Sequence, residues 1–211
     1  SSDLRTNLLI IFIIKNMGLS FHYKGKLRKP ESLKKIIEDV TDIAKANLWG
    51  YHVFEKAFPN PVFSFDSNSD SVYGICFSPP NCDVVCITFL SNGEMCPFYN
   101  LELSKDADKE PDGVYLSVKT QFAGPQIHKQ LIVIFDYLNK HYFENFDLID
   151  EGNYWETKNE QLLEDTFKKY TNLIEGFCSL LENIPIGENE SIEDFLIRIA
   201  KMVHKKSGND T

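Results

Sequence analysis

The run VKTQFAGPQIHKQLIVIFDYL, residues 118–138, sets a β-rich segment, a Gly-Pro break and a strongly apolar helical segment in direct succession. Pro125 fixes a backbone angle suited to a first helical turn, so the helix is expected to open there and to run over 126–142. Ile127, Leu131, Ile134, Phe135 and Leu138 recur at helical spacing, and Ile132 and Val133 widen the stripe. A helix this apolar needs cover on both flanks. Strand-like residues precede it at 114–122 and follow it at 146–149, so residues 114–157 are expected to form the centre of the core.

The remaining segments supply a sheet and its outer helices. Residues 19–27 alternate apolar with polar, which puts His22 and Lys24 on one face and Phe21 and Tyr23 on the other. Pro30 opens an amphipathic helix carrying Leu33, Ile36, Ile37, Val40, Ile43 and Ala44, with Gly50 as its stop. Short β-rich runs at 51–54, 62–65, 72–77 and 84–90 are separated by Pro, Asn, Asp and Ser clusters. Asn92-Gly93 is the clearest turn signal, because Asn and Gly accept the positive φ of a tight hairpin, and it pairs 84–90 with 95–101. Pro97 cannot donate to a ladder and makes that return strand an edge or a bulge. Thr157-Lys158-Asn159-Glu160 reads as a capping box. It starts a helix with a seam from Leu163 through Phe167, Tyr170, Ile174, Phe177 and Leu181 to Ile184. Ser191-Ile192-Glu193-Asp194 caps a last helix.

The expected fold is therefore α+β, a mainly antiparallel sheet of about six to seven strands. An N-terminal helix, the central apolar helix and two C-terminal helices cover it. Residues 17–204 form one α+β domain and 205–211 a polar tail. Residues 1–16 read as a non-native or poorly conserved extension ahead of a start at Met17, with a genuine extra strand in the aliphatic run 8–14 as the rival reading. That run is too short for a membrane span of about 20 residues and lacks the flanks of a secretory signal.

Charge and cysteine usage exclude several classes. The formal net charge is −9, from 22 basic against 31 acidic residues, which opposes a phosphate-binding surface and so argues against nucleic acid. Cys76, Cys82, Cys86, Cys96 and Cys178 form no CxxC pair, so reduced thiols in a cytoplasmic protein are expected, with no metal site. Asp106, Asp108 and Glu110 alternate like a calcium loop but lack its glycine and terminal glutamate. The glycines fit neither a P-loop nor a dinucleotide fingerprint, and there is no G-x-S-x-G or H-E-x-x-H motif. No cofactor and no catalytic residue is assigned.

One cluster retains chemical interest. Lys119 and Gln121 at a strand end, His128 on the first helical turn, and the loop Asp150, Glu151, Tyr154, Trp155 and Glu156 could gather into a mixed donor site. Helix N-terminal amides near 126–128 would add positive potential. The competing structural reading makes Asp150-Glu151-Gly152 a solvated turn and Tyr154 and Trp155 cover for the core. Two functional classes follow. The first is a small interaction protein without catalysis, binding or regulatory and in one form immunity-like, whose partner is another protein, a basic one included. A homodimer through the 163–184 seam belongs to the same class. The second is a small-molecule-binding domain or hydrolase that uses the cluster.

Overall fold

The computed structural model describes residues 17–64, 71–98 and 115–184, with isolated positions between 187 and 199. The aliphatic run 8–14, the acidic loop 104–113 and the tail 205–211 lie outside the described residues. The chain separates into two compact units, Leu19–Lys168 and a second made of Ser1–Gly18 with Lys169–Thr211.

Strand β1, Ser20–Leu27, is the middle of the first sheet. It pairs antiparallel with β5, Leu116–Lys119, and with β6, Phe143–Asp150. The registers Phe21–Val118 and Phe21–Asp150 put Phe21, Tyr23, Leu116, Val118, Leu148 and Asp150 on the inner face. His22, Lys24, Ser117 and Ile149 take the other face, as the alternation in 19–27 implies. The second sheet has the order β2–β3–β4, from Gly50–Val53, Tyr73–Ser78 and Val85–Phe89. Among the described residues both sheets are antiparallel and have three strands each, so the sheet system there is smaller and more divided than one sheet of six to seven strands.

The division occurs at the hairpin. Gly93 takes φ +84, and the Leu90 amide donates to Glu94 O at 2.9 Å, so the Asn92-Gly93 turn forms where expected. The returning chain is no regular strand. Met95 bridges Phe89 of β4, while its own amide donates to Gly25 O of β1 at 2.8 Å and Lys26 bridges Glu94. Residues 93–96 thus run between the two sheets and bond to both. Pro97, which lacks an amide, follows at once.

Helix α1, Ser32–Ala46, buries Leu33, Ile36, Ile37, Val40 and Ala44. Its end departs from expectation. Gly50 belongs to β2, and Leu48 holds the left-handed position at φ 56. Trp49 N donates to Ala44 O at 2.8 Å and Leu48 N to Lys45 O at 3.1 Å, the paired bonds of a Schellman motif. Trp49 then turns inward and stacks on Phe77 of β3, with centroids 5.7 Å apart.

Helix α2, Gly124–Tyr142, is the predicted central helix. It buries His128, Leu131, Ile132, Ile134, Phe135, Leu138 and Tyr142, and Phe135 lies against Phe21 and Tyr23 at 5.4 and 4.5 Å. Val133 is 63% exposed, so one expected flank is open. The short helix α3, Tyr154–Thr157, is bounded by Asn153 and Lys158, both left-handed. Helix α4, Glu160–Asn183, starts later than the Thr157 capping box implies. Its cap is Asn159, whose Oδ1 accepts the Leu162 amide at 3.1 Å. Within the first unit its seam residues Leu163 and Phe167 are buried in the chain's own core. In the second unit Ser191 Oγ accepts the Asp194 amide at 3.1 Å, which is the predicted cap, and Glu190 pairs with Arg198 at 2.6 Å.

Candidate functional site

The predicted cluster assembles around His128, but as a closed polar knot. Strand β5 ends at Lys119, and Thr120 and Gln121 turn beneath the start of β1. The Thr120 amide donates to Leu19 O at 3.0 Å, and the Leu19 amide donates to Gln121 Oε1 at 3.1 Å. That corner puts Thr120 Oγ1 2.7 Å from His128 Nδ1. On the other side of the ring, Asp150 Oδ1 lies 3.0 Å from His128 Nε2.

The loop after β6 is wrapped around the Asp150 carboxylate. Oδ1 accepts the Gly152 amide at 2.7 Å, and Oδ2 accepts the amides of Tyr154 at 2.7 Å and Trp155 at 2.9 Å. Asp150 is thus the acceptor for the N-terminal amides of α3, the helix end at which negative charge is favoured. Burial acts to raise its pKa, but His128 and the amides of Trp155 and Gly152 outweigh burial and hold the carboxyl below its ordinary value of 3.8.

The proton on the imidazole follows from the neighbours. Thr120 has one hydroxyl hydrogen and two acceptors within reach, Nδ1 at 2.7 Å and Leu19 O at 3.4 Å. If the hydroxyl donates to Nδ1, a neutral ring carries its hydrogen on Nε2. If it donates to Leu19 O, Nδ1 must donate, and only a doubly protonated ring avoids turning a lone pair on Asp150. Both arrangements put hydrogen on Nε2, facing the carboxylate. The contact is close but off line, because Nε2 meets no acceptor along its N–H direction. It is therefore an electrostatic contact without an aligned hydrogen bond.

Nothing from solvent reaches this pair. The His128 and Asp150 side chains are both 0% exposed. The imidazole stands edge-on between Phe21 and Phe167, with centroids at 5.7 and 5.6 Å. Gly152 closes the last side, since a Cβ there would lie 2.7 Å from Leu163 Cδ1 and 3.2 Å from His128 Nε2. The expected solvated turn is in fact half sunk into the core, with Glu151 outside.

The other predicted residues distribute around the knot without joining it. Glu151 Oε2 accepts the Ser20 amide at 2.7 Å, and Oε1 lies 3.8 Å from His22 on the outer sheet face. Lys119 donates its amide to Asp83 Oδ2 at 3.0 Å. Its ammonium is held below its usual range by burial, with Asp83 and Glu151 pulling the other way. Tyr154 and Trp155 lie half-buried on the core, as the structural reading has it, and Lys158 caps the Trp155 ring at 4.6 Å. Glu156 is exposed.

Sequence reasoning missed Thr120, Gly152 and Phe167, each of which touches or seals the ring. Among the described residues no group of three or more His, Cys, Asp or Glu side chains is placed to hold a metal ion. Nor is any described helix long and apolar enough to cross a membrane. Comparison with protein families, curated proteins and solved structures gives no match.

Proposed function

We propose that this chain is a small intracellular interaction protein, binding or regulatory in kind and including the immunity-like form, which acts without chemistry of its own. The observation that carries this reading is Leu48. It is 94% exposed and sits at φ 56, where glycine is the favoured residue and any other costs roughly 1 kcal/mol. A strained, solvent-facing leucine contributes nothing to the chain's own packing, and backbone strain of this kind concentrates at functional positions. Tyr51, also exposed, lies three residues on in β2, an edge strand of the second sheet among the described residues. Together they offer an apolar anchor beside a strand whose outward amides can pair with an added segment. The net charge of −9 would steer a basic partner toward the protein and make binding weaken with salt.

The ligand-binding or hydrolase alternative is less well supported, because its central histidine and aspartate are sealed from solvent. In a homodimer through the 163–184 seam, Leu163 and Phe167 would stay in the core in which they are buried, and the later seam positions would carry the contact.

The test separates folding from binding. Leu48→Gly should raise the thermal midpoint by about 2–4 °C, from a gain of about 1 kcal/mol in a chain of this length. It should also lower affinity for a partner captured from cells at least tenfold. Unchanged affinity, or capture of no partner together with turnover of a metabolite panel, would overturn the reading.

A further inference from the structure

We infer that Cys76 and Cys86 form a latent cross-strand disulfide site, closed by a peroxide oxidant. Both thiols are free, and the two residues are direct Cα partners on β3 and β4. Partners directly opposite on antiparallel strands project to the same face of the sheet.

The hydrogen-bond phase of the ladder makes this pair a narrow one. Cys86 gives both its amide and its carbonyl to the Tyr23 hydroxyl of β1, at 3.1 and 2.9 Å. Thr88 O, two residues on, accepts the Cys96 amide at 3.0 Å. The even-numbered residues of β4 therefore turn their polar groups away from β3. On β3, Gly74 O accepts Phe54 N at 2.9 Å, so the even-numbered residues there turn toward β2. Cys76 and Cys86 exchange no ladder bonds with each other. Such pairs have Cα atoms about 4.5 Å apart, inside the roughly 4.4–6.8 Å that a disulfide spans.

The other cysteine near this face is placed differently. Cys96 opposes Thr88, and Cys86 lies diagonal to it, a relation that separates Cα atoms by about 7–8 Å and is too long for a bridge. Cys82, beyond the end of β3, directs its thiol to Lys119 O at 3.5 Å.

Burial sets the rate. Cys76 and Cys86 are 8% and 4% exposed. Burial pushes the Cys86 thiol up to about 11 and raises Cys76 as well, so little thiolate exists at neutral pH. The pair resists casual oxidation and needs an oxidant small enough to enter. Hydrogen peroxide serves. A thiolate attacks one peroxide oxygen to give a sulfenic acid, with the other oxygen leaving as water after taking up a proton. The second thiol then displaces the sulfenic oxygen as water and forms the S–S bond. Two thiols lose two electrons and two protons, and one peroxide becomes two waters.

The experiment uses the full chain, treated with hydrogen peroxide over hours at several pH values, then alkylated in denaturant, digested and analysed by mass spectrometry. One linked peptide joining Cys76 to Cys86 is expected, forming faster at higher pH and lost on reduction with dithiothreitol. The oxidised protein should also melt above the reduced protein, a rise absent in Cys76→Ala treated in the same way. Two freely alkylated residues throughout, a bridge to Cys96 instead, or sulfinic acid at either position without a bridge would each overturn the inference. None of these readouts depends on the interaction reading.

Discussion

At the scale of single residues, the polar knot converts a set of chemically suggestive side chains into a structural tie. A catalytic base would lose activity on substitution while the fold held. The geometry here points the other way. His128→Ala removes a fully buried ring from between Phe21 and Phe167 and leaves the Thr120 hydroxyl and the Asp150 carboxylate without their buried neighbour, a loss of about 1–3 kcal/mol. Urea unfolding should show a loss of that size, and a midpoint close to wild type would contradict the sealed arrangement. The pH dependence has a definite sign. The Asp150 carboxyl is lower in the folded chain than its ordinary 3.8, so the folded state favours the ionised form. Its contribution is complete above the unfolded value and disappears as pH falls through the folded value. The stability difference between wild type and Asp150→Asn should therefore be constant near neutrality and shrink on acidification below about 4. His128 and Asp150 were legible in the sequence only as two of the eight members of a loose donor cluster, with no sign that they pair. Thr120 was not legible, because it falls inside the strand-like run 114–122 with nothing to mark a partner, and the strand stops one residue before it. Gly152 was legible only as a turn, since its closeness to His128 is a tertiary fact.

At the scale of elements, periodicity located the strands and helices well, and their ends less well. Helix α1 is closed by Leu48, beyond its last residue, and helix α4 is capped by Asn159, ahead of its first, because the terminal bonds are decided by local backbone geometry as well as by residue type. The tie between α1 and α2 shows the same limit. Asp39 accepts hydrogen bonds from Tyr137 at 2.8 Å and from Tyr142. Burial, and then the bond to Asp39, hold the Tyr142 phenol well above its usual range, so it stays a donor. Neither tyrosine has a sequence pattern that names Asp39 as its partner, across 98 and 103 residues. Asp39→Ala should cost about 1 kcal/mol, since the Tyr142 hydroxyl keeps its hydrogen bond with Tyr137, and Asp39→Asn, which keeps an acceptor, should lose less. Equal losses in calorimetry would mean that the hydrogen bond contributes little.

At the scale of the whole molecule, the antiparallel α+β class was legible, but its division into two sheets was not. The Asn92-Gly93 turn was the strongest local signal, and it formed at the expected place, with positive φ at Gly93 but not at Asn92. What no local signal carried was the crossing of residues 93–96 from β4 to β1. Gly93 is the residue that cannot be exchanged there. A Cβ would lie 2.7 Å from the Phe63 ring, and φ +84 is strained for any side chain. Gly93→Ala should cost at least about 1–2 kcal/mol and increase amide exchange at Met95 and Leu27, whose bonds join the sheets. Exchange confined to β4 would show that the two sheets do not depend on this connection.

The position of β1 also has a consequence in time. Phe21 pairs with Val118 on one side and Asp150 on the other, partners that follow it in the chain by 97 (118 − 21) and 129 (150 − 21) residues. During synthesis this apolar strand must wait, unpaired, until most of the first unit has followed it. Such distant pairing slows folding and exposes sticky edges to other chains in the interval. Lys24 and Lys26 alternate along its outer face, and charge at such positions opposes pairing with the wrong strand.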